Sequence, residues 1–245
     1  RFRPYRVLLS LAMQSDPLVS VESRDRLQEK IGLVLGRTVG ETWSVELRHN
    51  EWLQPASVEG LDRLTAEAMF ARYEAEAFDR VMLITVERSG NRFEVSGRPF
   101  NAALRTLALS RRRQEFDRRG LAVTVSRLAL DMFRPTVKIF RGSPTKAEVT
   151  VRAGEFPTAD PDSEQLQIGE YLEPFLRYRE RKSQRVAKIQ VLPWSYLKVV
   201  DKQRATVFCE LATALRNPLR GGGRRVDLMA VGVASTRQST RLRLL

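Results

Sequence analysis

The chain has 245 residues, of which 42% are hydrophobic and 29% are charged, so it can bury ordinary cores and is not disordered overall. Its net charge of +13 is carried mostly by arginine, which favours anionic partners, although a GC-rich genome explains the same arginine content equally well. The single cysteine and single histidine exclude an intrachain disulfide and a Cys/His zinc site. The sequence contains no apolar run of about 18 residues, so it predicts no membrane-spanning helix.

The chain begins with alternating strands and helices. Tyr5 to Met13 predicts a first strand, an apolar stripe starting at Leu27 predicts a helix, and Trp43 to His49 alternates as a second strand. A further helical region covers roughly residues 58 to 76. This order favours one sheet with helices packed on it.

The segment from Phe78 to Phe133 is the centre of this half. Its first run, Phe78 to Val86, is continuously apolar, which predicts a strand buried on both faces. Gly90 and Asn91 tolerate the positive φ of a tight turn, so a hairpin is expected there. In the strand that follows, polar residues alternate with apolar ones, which predicts one wet face.

The same segment continues with a predicted third strand from Leu104 to Ser110, an arginine-rich corner and a closing helix. The helix is expected over Gly120 to Phe133, because apolar residues recur at helical spacing and Pro135 ends it. Its buried stripe is predicted to consist of Leu121, Val125, Leu128 and Met132.

After Pro135 the pattern changes to short alternating segments separated by turns, with no helical stripe. Such spacing is typical of a small barrel or sandwich. The predicted fold class is therefore α+β: an α/β sheet-and-helix domain at 1–136, followed by a small all-β domain at 137–245. The chain opens without Met and ends on an alternating run, so both ends are expected to have been cut from a longer protein, with a signal peptide removed in front.

Residues that could carry chemistry are few, and each has a simpler interpretation. His49 lacks an accompanying serine-elbow motif, and Cys209 lies in an alternating strand as a buried packing residue would. The acidic run from Asp160 to Glu164 departs from a calcium loop, and Gly221 to Gly223 are expected at a hairpin tip rather than in a phosphate loop. We therefore predict no catalytic residue, no metal site and no cofactor.

Three arginine-rich clusters remain as candidate partner-binding sites. Solvated hairpin ends account for them in the simplest interpretation, and contact with an acidic partner accounts for them in the other. The first cluster consists of Arg111 to Arg113 with Arg118 and Arg119, and its five arginines are expected to lie near one another and in solvent. The candidate residues are Arg111, Arg112, Arg113, Arg118, Arg119, Arg177, Arg179, Arg181, Arg224 and Arg225.

The layout of Asp79 to Arg134 resembles the amino-terminal domain of TolB and the middle domain of flagellar assembly protein T. A hydrophobic strand beside a buried aspartate, a hairpin, a third strand and a closing helix occur in the same order. The segments beginning at Gly169 and Ile189 look like parts of uncharacterised envelope proteins of high-GC bacteria. These resemblances imply an extracytoplasmic protein without catalytic residues that docks to other proteins.

The expected function is thus that of a non-enzymatic scaffolding subunit of a bacterial cell-envelope assembly, periplasmic or envelope-associated. Its partners would be other copies of itself or other envelope proteins, with an anionic polymer or surface as a further partner. The alternative is a nucleic-acid-binding protein that uses its arginine clusters. An enzyme of unrecognised type is the third hypothesis.

Overall fold

The computed structural model describes residues 2–14, 21–157, 160, 163–181, 186–215, 218–219 and 225–233. The chain packs into two units, one comprising Arg1–Phe133 with Arg152–Glu164 and the other Arg134–Val151 with Gln165–Leu245. The first unit is a sheet with helices and the second is a closed barrel of strands, so the predicted α+β class is confirmed.

The first unit contains a six-stranded sheet and the helices of the described chain. In order, its elements are β1 (Tyr5–Met13), α1 (Val21–Val39), β2 (Trp43–His49), α2 (Val58–Asp62), α3 (Ala66–Tyr73), β3 (Arg80–Ser89), β4 (Arg92–Asn101), β5 (Thr106–Leu107), β6 (Arg111–Glu115) and α4 (Leu121–Met132). Short 3-10 turns lie at Gly40–Thr42, Glu74–Glu76 and Arg118–Gly120.

The sheet has the order β2-β1-β3-β4, and β5 and β6 both pair with the far edge of β4. Strand β1 is parallel to β2 and β3, whereas β4 is antiparallel to β3. Alternate residues of β1 enter two cores, Leu9 packing with α1 and α4 and Leu8 with α2 and α3. The central strands are therefore buried on both faces, as predicted for Phe78 to Val86.

The predicted wet face of β4 is wrong at the strand centre, because Ser96 is only 3% exposed. The Nη1 of Arg98 donates to the carbonyl oxygens of Leu61 at 2.8 Å and Leu64 at 3.1 Å. These bonds satisfy carbonyl groups at the end of α2 and hold that helix over the sheet. The alternation of polar and apolar residues in β4 does not reveal this contact, because α2 is distant in the sequence.

The predicted helical region at 58–76 is interrupted between α2 and α3. Thr65 adopts an extended backbone and its side chain accepts a hydrogen bond from the amide of Ala68, which begins a new helix. The predicted third strand, Leu104 to Ser110, is also wrong. Only Thr106–Leu107 pairs there, and the arginine-rich corner is itself strand β6.

The second unit is a β-barrel. Its strands are β7 (Thr136–Gly142), β8 (Lys146–Thr150), β9 (Tyr171–Arg179), β10 (Val186–Val191), β11 (Ser195–Gln203), β12 (Thr206–Thr213) and β13 (Val226–Gly232). The ring runs β9-β11-β12-β8-β7-β13 and closes where β13 pairs with β9, while β10 extends from β9. Alternate residues fill the interior, as the period-two pattern predicted. The alternating run with which the sequence ends, Thr240 to Leu245, lies outside the described residues.

Part of the segment that the sequence assigns to the second domain belongs to the first unit. Residues Arg152–Glu164 pack with that unit, and the guanidinium of Arg152 attaches them to it. Its Nη1 lies 2.5 Å from Oδ1 of Asp79 and its Nη2 donates to the carbonyl oxygen of Pro4 at 2.7 Å.

The domain boundary itself stays a prediction, which limited proteolysis can check. We expect the first cuts between residues 134 and 146 or between 154 and 167, because these segments contain the exposed residues Gly142, Pro144 and Pro157. Two fragments that each retain cooperative unfolding would support domains at 1–136 and 137–245. Early cutting between residues 80 and 130 would contradict them.

Candidate binding surface of the α/β unit

Strand β6 divides its three arginines between the two faces of the sheet. Arg111 donates to the carbonyl oxygen of Asp131 at 3.0 Å, and Arg113 forms an ion pair with the Asp131 carboxylate on α4. Arg112 lies opposite Ser96 and points to the other face, toward Glu59 and Glu87. The expectation that all five arginines of this cluster lie together in solvent is therefore wrong, because side chains alternate along a strand.

Strand β6 is also an edge, since β4 is its only partner among the described strands. Exposed edges invite pairing with other chains, and charged side chains are a common protection against it. This gives Arg111, Arg112 and Arg113 a structural role that does not depend on a partner. Their role as partner-binding residues stays a prediction.

The corner after β6 is held by one carboxylate. Glu115 accepts hydrogen bonds from the Thr124 hydroxyl at 2.6 Å and from the amides of Asp117 at 3.0 Å and Phe116 at 2.9 Å. The Thr124 hydroxyl and the two amides hold the pKa of Glu115 below its ordinary value. A Cβ at Gly120 would lie only 2.5 Å from Oε2 of Glu115, so this position favours glycine. The corner presents Phe116 to solvent with 66% of its surface exposed.

Helix α4 continues this exposed surface. Val123 and Arg127 lie four residues apart on the solvent side of the helix, opposite the buried stripe, and Arg119 is exposed in the turn that precedes the helix. The predicted stripe of Leu121, Val125, Leu128 and Met132 is confirmed as buried. We define the docking surface by its exposed members, which are Phe116, Arg118, Arg119, Val123 and Arg127.

Sequence reasoning missed the two apolar members of this surface. Val123 could have been found, because it lies outside the buried stripe of an otherwise well-predicted helix. Phe116 gives a weaker signal, because the arginine-rich sequence before it predicts a corner rather than strand β6. The two arginines that sequence reasoning named here, Arg118 and Arg119, are both exposed.

A cleft lies beside the docking surface, at the edge of the sheet where β1 ends and β4 begins. Its volume is about 370 Å³. Basic side chains from α1 and from the turn before α4 line it together with Ser23, Asp117 and several apolar side chains. The lining residues are Met13, Ser23, Arg26, Leu27, Lys30, Phe93, Asp117, Arg118, Arg119 and Leu121.

The arginines of the barrel are placed differently. Arg177 and Arg179 on β9 both donate to Oδ2 of Asp227 on β13, each with a contact of 2.8 Å. Burial alone would raise the pKa of Asp227, but the hydrogen bonds and charges of these arginines hold it below its ordinary value. Both cations thus contribute to closure of the barrel. Arg181 and Arg225 are exposed, and Arg224 lies outside the described residues.

The two residues considered as candidates for chemistry, His49 and Cys209, lie in different units of the structure. His49 is exposed at the end of edge strand β2, opposite Leu11 of β1, whereas Cys209 is 2% exposed inside the barrel. Burial raises the pKa of the Cys209 thiol to about 12. Asp162 and the glycines at 221–223 lie outside the described residues. Within the described ranges, no three His, Cys, Asp or Glu side chains are grouped to hold a metal ion, and no helix is long and apolar enough to cross a membrane.

Asp79, the aspartate of the TolB-like layout, organises a polar network at the opposite edge of the sheet from the cleft. Besides its contact with Arg152, its Oδ2 accepts the amide of Arg6 at 2.8 Å. The neighbouring Arg80 is 2% exposed and donates to the Asp79 carbonyl at 2.7 Å and to Oδ1 of Asn101 at 2.8 Å. Burial lowers the pKa of Arg80 to about 10. The network ties β1, β3, β4 and the 152–164 segment together.

Removing the Asp79 carboxylate is expected to destabilise the α/β unit. Asp79→Ala should lower the free energy of unfolding by about 2–3 kcal/mol, because it leaves a partly buried guanidinium and a backbone amide without their acceptor. Asp79→Asn should cost less, since an amide oxygen can still accept from Arg6. Urea unfolding of both variants measures the difference. A loss within about 0.5 kcal/mol of zero for Asp79→Ala would contradict this role.

Comparison with known proteins adds little to this description. No protein-family model matches the chain, and no curated protein matches it. Among solved structures, the chain is similar to TolB from Acinetobacter baumannii, with 13% identity and a TM-score of 0.32 over 84% of this chain. The match covers 57% of that protein, so the chain spans less than two thirds of its length. At these values the similarity carries no argument about function, and the likeness to the TolB amino-terminal domain stays a resemblance.

Proposed function

We propose that this protein is a non-enzymatic docking subunit of a bacterial cell-envelope assembly, acting through protein–protein contacts of its α/β unit. The docking surface defined above is the contact region. Its partner would be an envelope protein, or a second copy of the chain, with an acidic surface. The envelope location rests on the resemblance of Asp79 to Arg134.

One observation carries this proposal: an aromatic ring is held in solvent among exposed arginines. Phe116 is 66% exposed, and the two hydrogen bonds at its corner fix its position rather than bury it. Aromatic residues and arginine are the types enriched at protein interfaces, and they contribute most of the binding energy there. A pre-ordered corner also reduces the entropy lost on binding.

The charges of the surface indicate the chemistry of the partner. Arg118 and Arg119 are exposed in the turn before α4, and Arg127 is exposed on α4 four residues after Val123, so the surface combines apolar and cationic side chains. Rim charges act mainly on the rate and orientation of encounter, and they favour a partner with carboxylates around an apolar residue. Salt should weaken this association.

The same composition is compatible with the alternative of nucleic-acid binding. An exposed aromatic ring beside arginines can stack on a base while the guanidinium groups contact phosphates. Phe116 is a single ring, however, whereas binding to single strands ordinarily uses several successive stacking platforms. We therefore favour the protein partner.

Titration of a labelled oligonucleotide separates the two functions. We expect no binding of random DNA or RNA to the purified protein at 50 mM salt. Nucleic-acid binding would instead appear as tight association whose affinity falls roughly 10³-fold or more between 50 and 200 mM salt, if six or more phosphates are neutralised. That result would contradict docking to a protein and support nucleic-acid binding as the function.

A further inference from the structure

The cleft beside the docking surface has features that docking does not require. Its position corresponds to the carboxyl end of parallel strands β1 and β3, which is where ligands bind in open α/β sheets. Its volume of about 370 Å³ falls within the range of small-molecule sites.

Four cations and one carboxylate line the cleft, so its field attracts anions. Arg26 and Lys30 are four residues apart on α1 and therefore lie on the same face, where like charges repel each other. Arg118 and Arg119 reach the same space from the turn before α4. Asp117 does not cancel this charge fully, since its carboxylate is also bound to the amide of Arg119 at 2.8 Å.

Apart from Ser23, the rest of the wall is apolar. Met13 and Phe93 come from the ends of their strands, and Leu27 and Leu121 come from the two helices. Leu27 and Leu121 are 8% and 2% exposed, whereas Met13 and Phe93 are half-buried, so these two carry most of the apolar surface open to the cleft. A free phosphate would satisfy the cations but leave Met13 and Phe93 facing water. A ligand with an apolar body would remove their surfaces from water at about 25 cal/mol per Å².

We propose that this cleft binds a small organic anion, with a carboxylate or similar head held by Arg26, Lys30, Arg118 and Arg119 and an apolar body against Met13 and Phe93. The cleft shares Arg118 and Arg119 with the docking surface, but Arg26 and Lys30 belong to the cleft alone. Variants at Arg26 and Lys30 therefore test ligand binding without changing the docking surface. Fatty acids and apolar amino-acid derivatives are two sources of this chemistry.

Fluorescence of 8-anilinonaphthalene-1-sulfonate, which has a sulfonate on an aromatic body, provides the first readout. We expect saturable binding of one dye per chain, displaced by octanoate or by N-acetyl-leucine but neither by 1-octanol nor by inorganic phosphate. The stronger of the two carboxylates identifies the source. Absence of saturable binding would overturn the proposal, as would displacement by octanol or phosphate equal to that by the carboxylates.

Paired variants locate the site. Arg26→Gln with Lys30→Gln should weaken binding of the dye and of the carboxylate about ten-fold or more, because two charge-assisted contacts are lost. Arg37→Gln with Arg63→Gln is the matched control, since both arginines are exposed in the same unit and lie outside the cleft. Melting temperatures confirm that both proteins are folded, and a rise with octanoate in the unsubstituted protein is a second readout. Equal binding by the double variant and the control would overturn the proposal.

Discussion

Replacing Arg118, Arg119 and Arg127 with glutamate is expected to slow association with the docking partner by about 100-fold at low salt, because electrostatic steering changes from attraction to repulsion. All three side chains are exposed, so the domain should remain folded. The measurement is the fraction of protein retained in high-mass complexes after sedimentation of envelope extracts from the native host. The difference between the two proteins should shrink as salt is raised.

The control for this prediction must change the net charge by the same amount. Arg3, Arg37 and Arg63 are exposed in the same unit and lie outside the docking surface. Their replacement with glutamate should leave the high-mass fraction close to that of the unsubstituted protein. If both triple variants lose the complexes equally, net charge rather than the docking surface governs the association.

Cys209 is expected to react with thiol reagents at least about 10³-fold more slowly in the native protein than in the unfolded chain at pH 8. Only the thiolate reacts, and burial raises the pKa of this thiol to about 12. The side chain also lies 2% exposed inside the barrel, so a reagent reaches it only when the barrel opens. Since the chain has one cysteine, a colorimetric thiol assay with and without urea reports on this residue alone.

The raised pKa of Cys209 also fixes the sign of a pH effect on stability. The unfolded thiol loses its proton near its ordinary pKa, whereas the folded thiol keeps it until about pH 12. The contribution of this group is therefore fully present below pH 9 and is lost as the pH rises from about 9 to about 12. Rapid stoichiometric labelling of the native protein at pH 8 would contradict a closed barrel around Cys209.

The first half of the fold was predictable where the pattern of one segment reflects its own burial. The bounds of β1 and β2 and the buried stripe of α4 follow from local periodicity, and the structure confirms them. The turn at Gly90 and Asn91 was also found, since Gly90 has a φ of +64°. In the second half, the alternating pattern predicts short strands, and β9 at Tyr171–Arg179 is one of them.

The failures share a different cause, which is contact with distant parts of the chain. Ser96 is polar but buried, because α2 packs over this strand and is held there by the hydrogen bond from Arg98 to the carbonyl of Leu61. Strand β6 is built from arginine, glutamine and glutamate, and its pairing with β4 outweighs a composition typical of a loop. The cleft could not be predicted for the same reason: Arg26 and Lys30 lie some ninety residues from Arg118 in sequence.

Site-specific photo-cross-linking at Phe116 tests the docking function most directly. A benzophenone amino acid at this position keeps an aromatic ring on the docking surface, and the same amino acid at Arg37 serves as the control. In the native host we predict a discrete adduct from position 116 that is destroyed by protease, resists nuclease and is absent from position 37. An adduct removed by nuclease, or no adduct above that from position 37, would contradict protein docking through this surface.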